Sequence, residues 1–426
     1  MKLIIIFIYN IFIYPCIFTF FFVYSFFNKK IRTAMLGKLQ TNRRIKDFIS
    51  KLEKKSNVYW IHMASLGEFY QSKRIIDLLK LNSPKNKIVA SFSSPSGYEN
   101  FNSSAVNLSI YLPFDFPWVI NKMMLTIKPK KIIICSYDFW PNLVWLAKRY
   151  KIHVNVFSFY MKSNRSYFSN FGIKMLEFMF NDLSSIYTIT LKDKKIITSM
   201  LKNRTTIVRV CGNPRYDTIK EMNAINNKHS SKALNLREKK IIIASTHRED
   251  DFIIPVLIKI SKIYKDLKFL YVPHEPTNFE INRLKKIFKS FQETLFVNHE
   301  RRPRNLSKNK FTLISKIGVL YNLYWDCQLA YVGGGFSKGI HNVMEPSIAG
   351  IPIIFGPKYE HANEAYLLLK SKGAFCISNS LEFESIVVKL LNDDKYLQNS
   401  GDKSSKLVKE NLGSSKKIVT YLLKDR

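Results

Sequence analysis

Apolar and polar positions follow two different patterns along this chain. Leu3 to Phe27 holds no charged side chain over 25 positions, enough for a helix to cross a bilayer. From Asn57 the pattern changes to short, wholly apolar runs separated by longer amphipathic stretches. Val58–Ile61, Lys87–Phe92, Lys130–Cys135, His153–Phe157, Ile186–Ile189 and a run from Thr206 are predicted strands. Residues 221–240 are polar and without strand character. The rhythm then restarts with Lys240–Ser245, Phe269–Pro273, Leu329–Gly333, Ile351–Phe355 and Ala374–Ile377, and helices at about 381–392 and 414–424 end the chain. Strands apolar throughout and alternating with helices describe parallel sheets covered on both faces. The pattern therefore predicts an α/β chain of two Rossmann-like domains facing a cleft, preceded by one N-terminal transmembrane helix. Its expected divisions are an anchor over 1–28, a first domain over 29–220, a linker over 221–240 and a second domain over 241–426. The last helix is allowed to pack back on the first domain.

Charge gives the first segment a direction. Lys2 alone precedes the apolar run, whereas Lys29, Lys30, Arg32, Lys38, Arg43, Arg44 and Lys46 follow it. By the positive-inside rule the globular body stays cytoplasmic. A cleaved signal peptide fits less well, since the run is too long and its charge lies on the wrong side. The chain carries 67 basic and 32 acidic residues, a net +35. Such a field suits anionic partners such as acidic lipid headgroups, although the abundance of Ile, Lys, Asn, Phe and Tyr makes compositional bias an equal explanation. No nucleic-acid-binding motif accompanies the charge. A hydrophobic content of 46% excludes general disorder. Five scattered cysteines without a C-x-x-C pair point to a reducing compartment and to neither disulfides nor zinc.

Two stretches offer chemistry. Tyr331-Val-Gly-Gly-Gly-Phe-Ser-Lys-Gly-Ile-His-Asn-Val-Met-Glu-Pro346 reads as a buried strand, a glycine turn through Gly334 and Gly335, and a helix start. Glycines admit a phosphate to backbone N–H groups, and a helix start adds unpaired ones. Spacing puts His341, Asn342 and Glu345 on roughly one helix face, with Glu345 suited to ribose hydroxyls. The second stretch is Ser65-Leu-Gly67-Glu68, where a strand gives way to a helix. Glu68 is either a general base for a sugar hydroxyl, with Gly67 leaving room for substrate, or a helix-start carboxylate with Ser65 as N-cap. No Asp-x-Asp pair, His/Cys cluster or hydrolase triad order is present, so neither a metal nor another cofactor is expected.

The string Gly333-Gly-Gly-Phe-Ser-Lys338-Gly-Ile-His-Asn-x-x-Glu345-Pro, with Ser65-Leu-Gly-Glu68, resembles the bacterial Kdo transferases, which move 3-deoxy-D-manno-octulosonic acid (Kdo) from CMP-Kdo to lipid A precursors. The resemblance extends over nearly the whole chain. It implies the GT-B glycosyltransferase arrangement, Glu68 as catalytic base, Asp138 as a surviving acid in the acceptor cleft, and an inner-membrane enzyme that meets lipid A precursor and anionic lipids from the cytoplasm. Where the family has Glu-x-Glu, this chain has Ser136-Tyr-Asp138, so the first carboxylate is gone. The resemblance further implies a nucleotide site from Pro273, His274, Ile317, Gly318, Val319, Gly334, Gly335, Lys338, His341, Asn342 and Glu345. Ser65, Gly67, Arg215, Thr246 and His247 would border the sugar and acceptor, and Lys162 or Arg165 is a candidate for the acceptor phosphate. Two readings stand beside this one: a UDP-sugar-dependent GT-B transferase or epimerase, and a basic membrane-surface binding protein without catalysis.

Overall fold

The apolar runs do form strands, and every strand pair among the described residues is parallel. The computed structural model describes residues 2–52, 56–160, 170–202, 205–226, 234, 237–300, 308–360 and 362–424. Lys162 and Arg165, much of the expected linker and residues 301–307 lie outside them. The chain divides into two units, one of Met1–Thr218 with Gly413–Arg426 and one of Ile219–Leu412.

In the first unit the strands are β1 (Val58–Met63), β2 (Lys87–Phe92), β3 (Leu108–Tyr111), β4 (Lys131–Cys135), β5 (His153–Phe159), β6 (Ser185–Thr188) and β7 (Ile207–Val210). They lie in the order β3-β2-β1-β4-β5-β6-β7. Alternate residues feed two cores on opposite faces. Trp60, Ile132 and Ile134 meet the helices Pro117–Ile127 and Pro141–Arg149. Ile61, Ile133 and Cys135 instead meet Phe69, Ile75 and Ile76 of the helix Leu66–Asn82 and Ile418 and Leu422 of the final helix, Ser414–Lys424. That final helix therefore belongs to the first unit. Asp217 holds its start by accepting the N–H groups of Gly413 and Ser415, each at 2.6 Å.

The second unit contains β8 (Lys240–Thr246), β9 (Lys268–Pro273), β10 (Leu295–Asn298), β11 (Phe311–Ile314), β12 (Leu329–Val332), β13 (Ile353–Phe355) and β14 (Ala374–Cys376), ordered β10-β11-β9-β8-β12-β13-β14. The pattern of apolar runs did not predict β3, β10 or β11. Nor did it predict the helix Asp394–Glu410, whose buried stripe includes Ser400, Gly401, Ser404 and Ser405. Arg215–Asn226 continues as helix into the stretch expected to be a linker.

The N-terminal apolar segment is helical over Lys2–Ser25 and is long and apolar enough to cross a membrane. A π-turn at Tyr9–Ile13 lies just before Pro15, which has no N–H to close the preceding turn normally. The helix does not stand clear of the first unit. Lys2 Nζ meets Asp182 at 2.5 Å, Tyr9 donates to Asp115 Oδ2 at 2.9 Å, and Asn10 and Asn142 exchange amide bonds at 2.8 and 3.2 Å. Further along, the Phe18 ring lies 5.1 Å from Phe114 and 5.2 Å from Phe116. Leu3, Phe7, Ile11, Phe12 and Phe20 on the remaining surface are exposed.

Candidate active site

Ligands of open parallel sheets sit beyond the strand C-terminal ends, where neighbouring connections leave in opposite directions. That point lies between β1 and β4 in the first unit and between β8 and β12 in the second. A polar cluster occupies each.

In the first unit the cluster begins with His62, a fully buried residue in the apolar strand β1. Strand register sets it beside Ser91 of β2. Its Nδ1 lies 2.9 Å from Ser91 Oγ and its Nε2 2.9 Å from Asp138 Oδ2. Trp60 Nε1 donates to the same Ser91 oxygen at 2.8 Å, and Ser93 donates to Asp138. The donor inventory fixes one proton. An ionised Asp138 only accepts, so His62 carries a hydrogen on Nε2. Burial alone would raise the Asp138 carboxyl, but the bonds from His62 and Ser93 outweigh it and hold the group at about 2. Asp138 is thus an ionised anchor for His62.

Glu68 sits in the first turn of the Leu66–Asn82 helix. Ser65 Oγ accepts the Glu68 N–H at a long 3.5 Å, and Glu68 Oε2 accepts the Ala64 N–H at 2.5 Å. The carboxylate therefore caps the turn, and its proton affinity is also perturbed. Burial lifts its carboxyl to about 7 against the pull of the Ala64 N–H and His62, with the Asp138 charge adding to the lift. A base is most effective when its pKa lies near the working pH. Gly67 is exposed, and a Cβ there would meet only Ser65 Oγ, at 3.8 Å. The turn thus does not need glycine for its own packing.

Ser136, where the resembled family carries a carboxylate, has φ 59° and donates to Gln71 Oε1 at 3.2 Å. Sequence reasoning passed over His62, which its isolation in an apolar strand could have flagged. It also treated Lys38 as flanking charge. The Lys38 ammonium lies 5.5 Å from the Phe114 ring centre and 5.4 Å from that of Trp140. Burial lowers it to about 8, while Asp138 and Asp115 pull it back up.

In the second unit the organising residue is Asp250, fully buried and also unforeseen. Its Oδ2 accepts the N–H groups of His247 at 2.8 Å and Gly334 at 3.1 Å, and its Oδ1 accepts the Tyr331 hydroxyl at 2.6 Å. One carboxylate therefore ties the tip of β8 to the glycine turn after β12. A bulge at Ser245, with φ 54°, interrupts the β8–β9 register just before Thr246 and His247, and such bulges re-aim the side chains beyond them. His247 Nε2 then lies 2.8 Å from His341 Nε2, and the His274 ring stacks 4.2 Å from that of His341. Loss of solvent and the nearby His247 lower the His274 proton affinity.

The glycine turn differs from its expected form. Gly334 is at φ +90°, and Cβ atoms at Gly333 and Gly335 would lie 2.5 Å from the Ser245 carbonyl oxygen and 2.6 Å from Gly356 backbone. The N–H groups of Gly333, Gly334, Ser337, Gly339, Ile340 and His341 already bond within the protein. The glycines therefore serve close backbone packing first. The following helix is only Met344–Ile348, so His341 and Asn342 precede it and do not share its face. Asn342 instead accepts the Met344 N–H at 3.1 Å and donates to Glu345 Oε1 at 2.7 Å.

Of the remaining expected residues, Pro273 and Thr246 are buried at the ends of β9 and β8, and Lys338 is exposed on the turn. Ile317, Gly318 and Val319 follow β11, two strands from β8 in the sheet. Val319 is buried there and Ile317 is 82% exposed. Arg215 opens the helix Arg215–Asn226, its N–H donating to Asn213 Oδ1 at 3.1 Å.

Residues 40–218 match the sequence model of the family described as 3-deoxy-D-manno-octulosonic-acid transferase. The 3-deoxy-D-manno-octulosonic acid transferase of Aquifex aeolicus is 28% identical over 344 residues, 80% of this chain and 87% of that protein. The enzyme of the same name from Haemophilus influenzae is 26% identical, over 85% and 86%. Among solved structures, the UDP-GlcNAc 2-epimerase of Neisseria meningitidis superposes with a TM-score of 0.62 at 14% identity, covering 86% of this chain and all of that one. MurG of Acinetobacter baumannii gives 0.55 at 11% identity, covering 86% and 99%. These two likenesses concern the fold, the α/β architecture of the GT-B group. Residues 40–218 thus match the 3-deoxy-D-manno-octulosonic-acid transferase family model, and the chain is similar to such transferases over most of its length.

Proposed function

We propose that this protein is an inverting glycosyltransferase of lipopolysaccharide biosynthesis, moving Kdo from CMP-Kdo to a lipid A precursor. The match of residues 40–218 to the Kdo-transferase family model, with similarity to such enzymes over most of the chain, supports the reaction class. The observation that carries the mechanism is Glu68, a carboxyl lifted to about 7 at the strand-order reversal of the first sheet. In the proposed step an acceptor hydroxyl attacks the anomeric carbon of Kdo. Its proton passes to Glu68, the bond from that carbon to the phosphate oxygen breaks, and CMP departs with the electron pair. Asp138 holds His62 in place through its bond to Nε2. In the second unit Lys338 supplies a donor for the departing phosphate. The step balances without a metal.

We also propose an attachment to the cytoplasmic face of the inner membrane. Lys2, Tyr9, Asn10 and Phe18 all contact the first unit, so the N-terminal helix lies along that unit and presents its exposed apolar face to lipid. This is the geometry of an interfacial anchor. CMP is expected to raise the melting temperature of the full chain more than equimolar UDP does, since a ligand of the folded state stabilises it by mass action. Protection by UDP alone would turn the reading toward a UDP-sugar enzyme.

A further inference from the structure

We infer that the imidazoles of His247, His274 and His341 form a binding site for one transition-metal dication of the zinc, cobalt or nickel class. The three residues lie far apart in sequence, so no spacing motif announces them. The sheet gathers them because β8 lies between β9 and β12, and each residue follows one of those three strands. Their ligand-capable ring nitrogens all lie within 4.8 Å of one another.

Two neutral imidazoles whose Nε2 atoms are 2.8 Å apart cannot direct lone pairs at each other, so one proton must lie between them. A metal ion replaces that proton with a shared positive charge. Bonds of about 2.0–2.1 Å to tetrahedral nitrogen ligands put neighbouring donors about 3.3 Å apart. The His247–His341 pair needs to open by only about half an ångström to reach that spacing. His274 is exposed and is free to swing by the remainder. The other two are positioned beforehand, because Asp250 accepts both the His247 N–H and the Gly334 N–H of the turn that leads to His341.

An all-imidazole set favours zinc, cobalt, nickel or copper over magnesium or calcium, which prefer oxygen ligands. Three protein ligands leave the fourth position open, as in catalytic rather than structural zinc sites. The open position would take an anionic oxygen, a phosphate or a carboxylate. The inference stands on the three rings alone and does not need the transferase reading.

The test uses the full chain without an affinity tag, purified in detergent and dialysed against a chelator. Titration with Co²⁺ alone should give visible ligand-field bands that saturate at one ion per chain, and Zn²⁺ should displace them while excess Mg²⁺ does not. His274→Ala and His341→Ala should each weaken Co²⁺ binding by more than the roughly 100-fold that outer-shell changes cause. His153→Ala, in the first unit, should bind as the parent does. His274 is exposed, so its variant is expected to keep the parent melting temperature and to report on the ion alone. Absence of a saturable cobalt spectrum, or a parent-like titration in His274→Ala, would overturn the inference. Neither result depends on CMP or any sugar, so failure here leaves the proposed transfer reaction untouched.

Discussion

At the scale of single residues the account turns on how burial and hydrogen bonds push two carboxyls apart. Glu68 is raised to about 7 and Asp138 is held at about 2, so at neutral pH one can accept a proton and the other cannot. Turnover should therefore rise with pH through about 7 and level off above it. Glu68→Gln should lose about 10²–10⁴ of kcat while keeping CMP binding. A pH–rate profile of both proteins checks this, and equal turnover would remove Glu68 from the mechanism. The same shift has a stability sign. The folded form of Glu68 binds its proton more tightly than the unfolded chain does, and so does Asp115, raised to about 7 by burial against its N–H partners. Their contribution is fully present below about pH 4 and is lost as pH rises through about 7. Denaturant midpoints across that range should fall less steeply in Glu68→Gln than in the parent. Gly67→Ala should leave the melting temperature unchanged, because the added Cβ meets nothing closer than 3.8 Å, yet should weaken acceptor use. Glu68 was legible in sequence from its place at a helix start. Its perturbed proton affinity was not, since that depends first on burial in the folded unit, with smaller effects from the Ala64 N–H, His62 and Asp138.

At the scale of elements, legibility followed hydrophobicity. The central strands are apolar on both faces and announce themselves. The edge strands β3 and β10 are partly exposed, which dilutes the signal. β11 is fully buried but lasts only four residues. The helix Asp394–Glu410 was hidden for a different reason. A Cβ on Gly401 would lie 2.2 Å from the Gly350 carbonyl oxygen, and one on Gly373 would lie 2.7 Å from the Ser404 nitrogen. Small residues there bring backbone to backbone, and an apolar stripe would not fit. The glycine turn follows the same logic, which is why its phosphate-binding look in sequence was incomplete. Gly335→Ala should destabilise the second unit by about 1–3 kcal/mol through overpacking against Gly356. Chemical denaturation measures this, and a parent-like midpoint would mean that the turn can yield.

At the scale of the whole molecule, sequence pattern anticipated two α/β halves and allowed the chain's last helix to pack back on the first, where it does lie. Pairing of Asp217 with Gly413 and Ser415 lies outside what periodicity can show. The N-terminal segment reads as a spanning helix from its length alone, whereas its contacts with Asp182, Asp115 and Asn142 set it along the first unit. An epitope tag placed before Met1 should therefore be cleaved by protease from the cytoplasmic side of the membrane, together with the globular body. Protection of the tag on that side would restore the spanning arrangement. The central claim is transfer of Kdo from CMP-Kdo to lipid. Incubating the purified chain with CMP-Kdo and tetraacyl lipid A precursor and weighing the lipid tests it most directly. The expected result is lipid heavier by whole Kdo units with equimolar release of CMP, and no such shift with Glu68→Gln. Unchanged lipid from folded, CMP-binding parent protein would contradict it.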